Sequence, residues 1–409
     1  MEKRTMHELF LIGNRILGTL ETYGYKGYFV GGCVRDHHMH RAINDVDITT
    51  DALPDDIERI FERTVDVGKE HGTIIVLIDD IPFEVTTFRT ESGYSDFRRP
   101  DQVSFTNQLN SDLERRDFTM NAMAMDENFE ILDPYGGMKD IEERVIRTVG
   151  CPEERFNEDA LRMLRAARFA AHLEFHVAPE TENAMAAHAQ NLEFVAVERC
   201  VVELDKLYRG AGVKAAKALM VKTRLKAHLA FLENIGDEDF LDTDVRSLEN
   251  EIALQMWRNP GLEPHLHELK LSNDMKREIK DTTRLIGMLH RPSTIKEVAY
   301  GHDMKILKNA SEIVELNTFT ESKEKKDLLK SAIELKPQLP ISDISDINLD
   351  GNMLMQLFNA RGGRWIRKVF SAVEEKILDG RLENDTKIIM EWVEAHVEYE
   401  AGDIEITEE

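Results

Sequence analysis

Two acidic residues two positions apart, Asp45 and Asp47, follow a glycine pair and an arginine in the runs Gly31-Gly32-Cys33-Val34-Arg35-Asp36 and Asn44-Asp45-Val46-Asp47. Alternate residues of a strand point to the same side, so a strand over 45–50 predicts both carboxylates on one face. Such a pair suits a hard divalent cation such as Mg2+, which takes oxygen ligands. Adjacent glycines let backbone N–H groups approach a triphosphate closely, and Arg35 offers a planar donor fork to phosphate oxygens. Together these are the parts of a nucleotidyl transfer, in which one metal activates an attacking hydroxyl and another holds the departing pyrophosphate. Asp-x-Asp alone reads equally well as two surface charges. A glycine pair, an arginine and Asp-x-Asp in this order within 17 residues is far more specific.

The elements that must position these groups are short. Residues 1–150 mix β-rich and helical runs. Tyr25–Val30 leads into the glycine pair, Thr73–Ile78 and Pro82–Phe88 read as neighbouring strands joined by a tight turn at Asp79-Asp80, and helical patterns cover 5–22, 54–63, 110–114 and 139–144. The stretch 89–107, with Arg89, Glu91, Gly93, Asp96, Arg98 and Arg99, is polar and aperiodic, which predicts a functional or disordered loop. From 151 onward the pattern is helical, including one helix over 157–171 and others over 197–209, 213–222, 303–316, 321–335, 362–378 and 385–397. No fixed period marks a solenoid.

With 409 residues the chain spans two to four domains of ordinary size. Its 77 acidic and 52 basic residues give a net charge of −25, which excludes a uniformly basic nucleic-acid coat but not a basic groove on an acidic body. Seven basic residues and no acid lie between Lys206 and Lys226, and Arg361, Arg364, Arg367 and Lys368 form a second knot around Trp365. After Lys387 come eight acids without a Lys or Arg, which predicts a solvated tail. Cys33, Cys151 and Cys200 are too few and too scattered for a disulfide framework or a cysteine zinc site. No apolar run approaches the ~18–20 residues of a membrane helix. The chain reads as cytoplasmic, with no membrane and no obligate protein partner expected.

Four blocks in order carry a family resemblance. The run 31–47 resembles the metal-binding motif of the class II tRNA nucleotidyltransferases, the CCA-adding enzymes of the polymerase-β superfamily. Arg115-Arg116-Asp117-Phe118-Thr119-Met120-Asn121-Ala122-Met123-Ala124 resembles their ribose and triphosphate motif, Asp133-Pro134-Tyr135-Gly136-Gly137 their hinge motif, and Phe156 through Phe169 their base-recognition helix. The match is close over 1–233; further on, Gly363-Arg364-Trp365-Ile366 and Leu382-Glu383-Asn384-Asp385 resemble the tail of the Bacillus-type members. His37-His38-Met39-His40 departs from the family, which usually carries leucines and a glycine there; a surface helix turn is the simpler reading than a metal site.

The resemblance implies an α+β fold: a small mixed-sheet nucleotidyltransferase head (1–150), then an all-α neck (151–212), body (213–316) and tail (317–409), seahorse-like in arrangement. It implies template-independent addition of CCA to the 3′ end of tRNA from CTP and ATP with Mg2+. The tail meets the tRNA elbow, and the 206–226 stretch grips the acceptor stem or is a solvated helix face. Asp45 and Asp47 are then the catalytic metal ligands, and Gly32, Arg35 and Arg116 bind the nucleotide. Glu84 is either a third carboxylate near the metals or an exposed strand charge. Cytosine and adenine share an exocyclic amine beside a ring-nitrogen acceptor, while uracil and guanine reverse that order. Asp159 as acceptor and Arg162 as donor, three apart on one helix, therefore template C and A together; the alternative is a surface ion pair. Arg165 and Arg168 belong to the same motif, although a drift of about 60° per three residues turns Arg168 away from Asp159. The runner-up readings are a poly(A) polymerase or a CC-only or A-only adding enzyme of the same superfamily. A non-catalytic RNA-binding relative would be expected to lack one of the paired acids.

Overall fold

The structure is a computed structural model and describes residues 6–43, 45–93, 102–317, 323–400 and 403–407. The chain divides into two compact units, Met1–Glu251 with Asn259–Ser272, and Ile252–Arg258 with Asn273–Glu409.

The first unit opens with α1 (Met6–Thr22), β1 (Gly27–Val30), α2 (Gly32–His38), β2 (Asp47–Thr50), α3 (Pro54–Ile60), β3 (Thr64–Gly68), β4 (Thr73–Ile78) and β5 (Ile81–Thr87). A hairpin of β6 (Arg89–Ser92) and β7 (Gln102–Phe105) follows, then α4 (Leu109–Glu114), β8 (Ala124–Met125), β9 (Ile131–Leu132) and α5 (Gly137–Glu142). Seven strands form one mixed sheet in the order β3-β4-β5-β2-β1-β8-β9, with β2 and β5 parallel. Alternation drives it: Phe83, Val85 and Thr87 of β5 are buried while Glu84 is exposed. Asp79 and Asp80 both take positive φ, 52° and 61°, as a two-residue hairpin turn of matching twist requires.

Three expectations change here. The ladder of β2 begins at Asp47, two residues later than predicted, although the in-out alternation extends back through buried Val46 to exposed Asp45. The ends of the aperiodic stretch pair, Arg89 with Phe105 and Ser92 with Gln102; Asp96, Arg98 and Arg99 lie outside the described residues, as does Asn44. His37 meets Phe10 edge-on and stacks with Phe129, and so packs as an aromatic ring.

The helical part of this unit starts after the short strand β10 (Val145–Ile146) with α6 (Pro152–Glu158) and α7 (Leu161–Leu173), then β11 (His176–Val177), α8 (Pro179–His188), α9 (Val197–Tyr208), α10 (Val213–Lys222), α11 (Asp237–Leu241) and the first turn of α12 (Leu248–Arg258). The single helix predicted over 157–171 is two helices, because Asp159 leaves the helical region at φ −140°, ψ 104°. Its Oδ1 instead accepts from the Leu161 N–H at 3.1 Å, so the residue that ends α6 also starts α7.

The 206–226 stretch is not a free basic face. Lys217 is buried with its Nζ 2.8 Å from Glu251, and Lys226 is buried beside Asp237. Lys206, Arg209, Lys214 and Lys222 pair with Glu203, Asp205, Asp244 and Glu182. All of these acids come from outside the stretch, which is why a charge run read along the chain misleads.

In the second unit α13 (Asn273–Met288), α14 (Ile295–Tyr300), α15 (Met304–Leu316) and α16 (Lys323–Leu335) share an apolar cluster that includes Leu285, Val298, Leu307, Ala310, Leu329 and Ala332. This cluster crosses position 316. A separate cluster is built on α17 (Gly351–Leu357), α18 (Arg364–Leu378) and α19 (Thr386–His396), from Leu354 to Val397 around buried Trp365. The acidic end is no wholly solvated tail: β12 (Val397–Glu400) and β13 (Asp403–Ile406) pair, and Tyr399, Ile404 and Ile406 pack on that cluster. Alternation of acids with apolar residues in these strands accounts for both the charge and the packing.

Candidate active site

Strand β1 turns into α2 at Gly31, whose φ of 80° is a conformation that only glycine adopts without strain. A Cβ there would stand 2.9 Å from the Arg116 Nη1, so the turn also makes room for a guanidinium. Gly32 begins α2. Arg35, one turn on, is buried. Its Nε and Nη2 donate to Asp36 at 3.0 and 2.9 Å, and its Nη1 donates to the Asn121 Oδ1 at 2.6 Å. The predicted phosphate fork is therefore held by neighbours on two elements.

The parallel register sets Asp47 of β2 directly beside Glu84 of β5. Burial pushes the Asp47 carboxyl up to about 6, with the charges of Asp45 and Glu84 adding to the shift and Arg116 opposing it. The negative charges of Asp45 and Glu84 thus act on Asp47 with only Arg116 opposing them, which is the electrostatic condition a divalent cation relieves. Among the described residues no three His, Cys, Asp or Glu side chains are arranged to enclose a metal. The donors fit Mg2+, which is commonly held by one or two carboxylates together with substrate phosphates.

A second cluster surrounds the Arg115–Ala124 block. Asp112 of α4 is fully buried; its Oδ1 accepts from the Arg115 Nε and Nη2 at 3.0 and 2.8 Å, and its Oδ2 lies 3.5 Å from the Arg116 Nη2. Burial alone would raise the Asp117 carboxyl. The Arg165 guanidinium at 2.7 Å, the Asn121 amide and the Arg162 charge reverse that and hold it at about 2. Arg35, Arg165 and Arg168 converge on the Phe169 ring at 5.2, 5.6 and 4.2 Å from its centre. Arg168 also meets Glu203 of α9 at 2.8 Å. Arg168 therefore gathers with Arg165, and with Arg35 of α2, around one ring; the rotational drift counted from Asp159 does not apply, since Asp159 is outside α7.

Asp159 and Arg162 do not sit on one helix, yet the break keeps them adjacent, with the Arg162 N–H on the Asp159 carbonyl at 3.0 Å. Arg199 of α9 donates to both Asp159 oxygens, at 3.3 and 2.8 Å. Arg162 donates through Nη1 to Glu158 at 2.5 Å and to the Arg155 carbonyl, and through Nη2 to the Arg115 carbonyl at 2.9 Å. A carboxylate has about four acceptor positions and a guanidinium five N–H groups. One lone pair on the Asp159 Oδ2, and the Nε–H with one Nη2–H of Arg162, are not engaged among the described residues.

Asp112, Arg199 and Glu203 were missed from the sequence. The one signal available was their helical spacing, which looks the same for any amphipathic helix.

Three family descriptions match the chain: the Poly A polymerase head domain over residues 27–147, the probable RNA and SrmB-binding site of polymerase A over 174–232, and tRNA nucleotidyltransferase domain 2 over 252–393. The first does not separate poly(A) polymerases from their relatives. Full-length similarity does: the CCA-adding enzyme of Bacillus subtilis (strain 168) is 42% identical over 398 residues, covering 95% of this chain and 98% of that protein. The chain belongs to the CCA-adding enzymes. The Staphylococcus aureus (strain MSSA476) CCA-adding enzyme is 39% identical over 401 residues, covering 95% and 98%. The crystal structure of the Bacillus stearothermophilus CCA-adding enzyme in complex with CTP superposes with a TM-score of 0.82 at 33% identity, covering 94% of this chain and 97% of that one. A mixed-sheet head followed by a long helical region is thus the family architecture, and it is the α+β fold that the sequence predicts.

Proposed function

We infer that this CCA-adding enzyme appends C, C and A to the 3′ end of tRNA, using CTP and ATP without a nucleic-acid template and releasing pyrophosphate. The observation that carries this is 42% identity to a CCA-adding enzyme across nearly the whole chain. The paired acids that a non-catalytic relative would lack are both present.

Asp45 and Asp47 hold Mg2+, and Glu84 completes the acidic cluster beside them. An ion held there would supply a lowered pKa for the tRNA 3′-hydroxyl and neutralise charge on the leaving pyrophosphate. Gly32 opens the backbone toward the triphosphate, Arg116 meets its phosphates, and Arg35 with Arg165 and Arg168 supplies the cationic wall behind. Asp159 accepts the exocyclic amine of C or A through its remaining lone pair, and Arg162 donates an unengaged N–H to the ring nitrogen. Uracil and guanine present donor and acceptor in the opposite order and meet like against like.

We keep the division into head (1–150) and neck (151–212). We place the join between body and tail after α16, because the apolar cluster of α14, α15 and α16 runs through position 316. The exposed Arg361, Arg364 and Arg367 mark the tail face for the tRNA elbow. No described helix is long and apolar enough to cross a membrane, and we assign the enzyme to the cytoplasm with tRNA, CTP and ATP as its partners.

The test is to supply tRNA lacking its last three nucleotides with CTP, ATP or both, and to sequence the product. CCA is expected from the mixture. Homopolymeric A from ATP alone identifies a poly(A) polymerase, and products ending at CC or needing a preformed CC identify the partial enzymes. Asp47→Ala lowers turnover on the order of a thousandfold or more while tRNA binding persists; activity within a few-fold of wild type removes the metal assignment.

A further inference from the structure

Five charged side chains alternate from the β6–β7 hairpin to the glycine turn. Arg89 Nε donates to the Glu91 Oε1 at 2.9 Å, and Arg115 Nη1 reaches the same oxygen at 3.2 Å. Arg115 then takes the Asp112 Oδ1 with two N–H groups, and Asp112 leaves only its Oδ2 to Arg116, at 3.5 Å. The Arg89 backbone N–H also rests on the Asp112 Oδ1, at 3.3 Å, and the Thr49 hydroxyl on the Oδ2, at 3.4 Å. Asp112 thus serves two cations, of which Arg116 is the less tightly held, and Asp117 and Asp47 also act on the Arg116 charge. The Arg116 Nε is buried without a hydrogen-bond partner among the described residues, its Nη1 lies against Gly31, and its charge acts on Asp47.

Such a chain has a mechanical consequence. Glu91 and Asp112 both draw on Arg115. When Glu91 holds Arg115 less, Arg115 closes further on Asp112, and less of that carboxylate remains for Arg116. The hairpin stem and the nucleotide-facing guanidinium are therefore linked through one buried acid. We propose that Asp112 is a positioning residue that sets Arg116 against the Gly31 turn, and that Glu91 tunes this hold through Arg115, so that nucleotide affinity depends on both acids. The proposal rests on the reading of Arg116 as a nucleotide ligand.

Asp112→Asn strands two half-buried arginines and risks misfolding, so the decisive variant is the isosteric Glu91→Gln. Calorimetric titration of the full-length enzyme with CTP and Mg2+ gives dissociation constants without needing turnover. The set is wild type, Glu91→Gln, Arg116→Ala and the double variant. Glu91→Gln is expected to weaken CTP binding about three- to tenfold, an ordinary coupling between linked charges, and to leave tRNA affinity unchanged. On the Arg116→Ala background the same substitution is expected to change nothing. Unaltered CTP affinity in Arg116→Ala would show that Arg116 does not bind the nucleotide, and the reading beneath the proposal fails. A Glu91→Gln effect that is absent, that persists in full without Arg116, or that falls equally on tRNA overturns the coupling itself.

Discussion

Base choice depends on how many hydrogen-bonding positions Asp159 and Arg162 have left. Arg199, Glu158 and three backbone groups occupy the others and lock both side chains in place. Asp159→Ala removes the acceptor for the exocyclic amine, so discrimination of CTP against UTP falls by about 1–3 kcal/mol, the worth of a good paired contact. Competition assays with mixed nucleotides measure it, and an unchanged C-to-U ratio excludes the templating role. Asp117 carries a pH signature. Its folded carboxyl sits at about 2 against an ordinary value of 3.8. The stability it contributes is present above the ordinary value and is lost as pH falls from about 4 through about 2. Denaturation midpoints of Asp117→Asn should therefore vary less with pH across that window than those of wild type.

Helices and strands place these groups by close approach. Gly137 opens α5, and a Cβ on it would stand 2.3 Å from the Thr119 carbonyl oxygen, a backbone atom that cannot swing aside. Thr119 belongs to the block that carries Arg116 and Asp117, so the glycine lets α5 brace that block. Gly137→Ala is expected to cost about 1–3 kcal/mol or more, as overpacking does, and to lower the melting temperature by several degrees. Gly18, mid-way along α1, has open space around its Cβ position; Gly18→Ala should stabilise by about 0.5–1 kcal/mol through helix propensity. If both substitutions behave alike, close packing is not what demands Gly137. The Asp133-Pro134-Tyr135-Gly136-Gly137 run was legible as the family's hinge motif, but its packing partner was not, because Thr119 lies on a different element.

Charge governs the molecule as a whole. A body at −25 repels phosphates, so RNA affinity must come from cations that, among the described residues, lack acidic partners. Most of the 206–226 stretch is neutralised, whereas Arg361, Arg364 and Arg367 stand exposed at the start of α18. Trp365 anchors them, buried, with its Nε1–H on the Arg361 carbonyl at 2.9 Å. Replacing the three arginines with alanine should weaken tRNA binding and reduce the slope of log affinity against log salt by about 2–3, at roughly 0.7–0.9 per phosphate contact. CTP affinity should stay constant. An unchanged salt slope would move the RNA contact elsewhere.

Much of this enzyme is readable along the chain. Strand alternation puts Asp45 and Asp47 on one side, a glycine pair marks the tight turn, and helical periods locate most of the C-terminal helices, because each depends on neighbours a few positions away. What the linear pattern misreads are relations that need distant partners. Glu84 becomes part of the acidic cluster only through the parallel register of β2 and β5. Asp159 breaks a helix because it is captured by the next turn and by Arg199, 40 residues on. Lys217 is a buried ion pair and not an RNA contact because Glu251, 34 residues away, folds onto it. Backbone periodicity is a local property of residue types, whereas the state of a charge depends on which opposite charge the fold brings within a few ångströms.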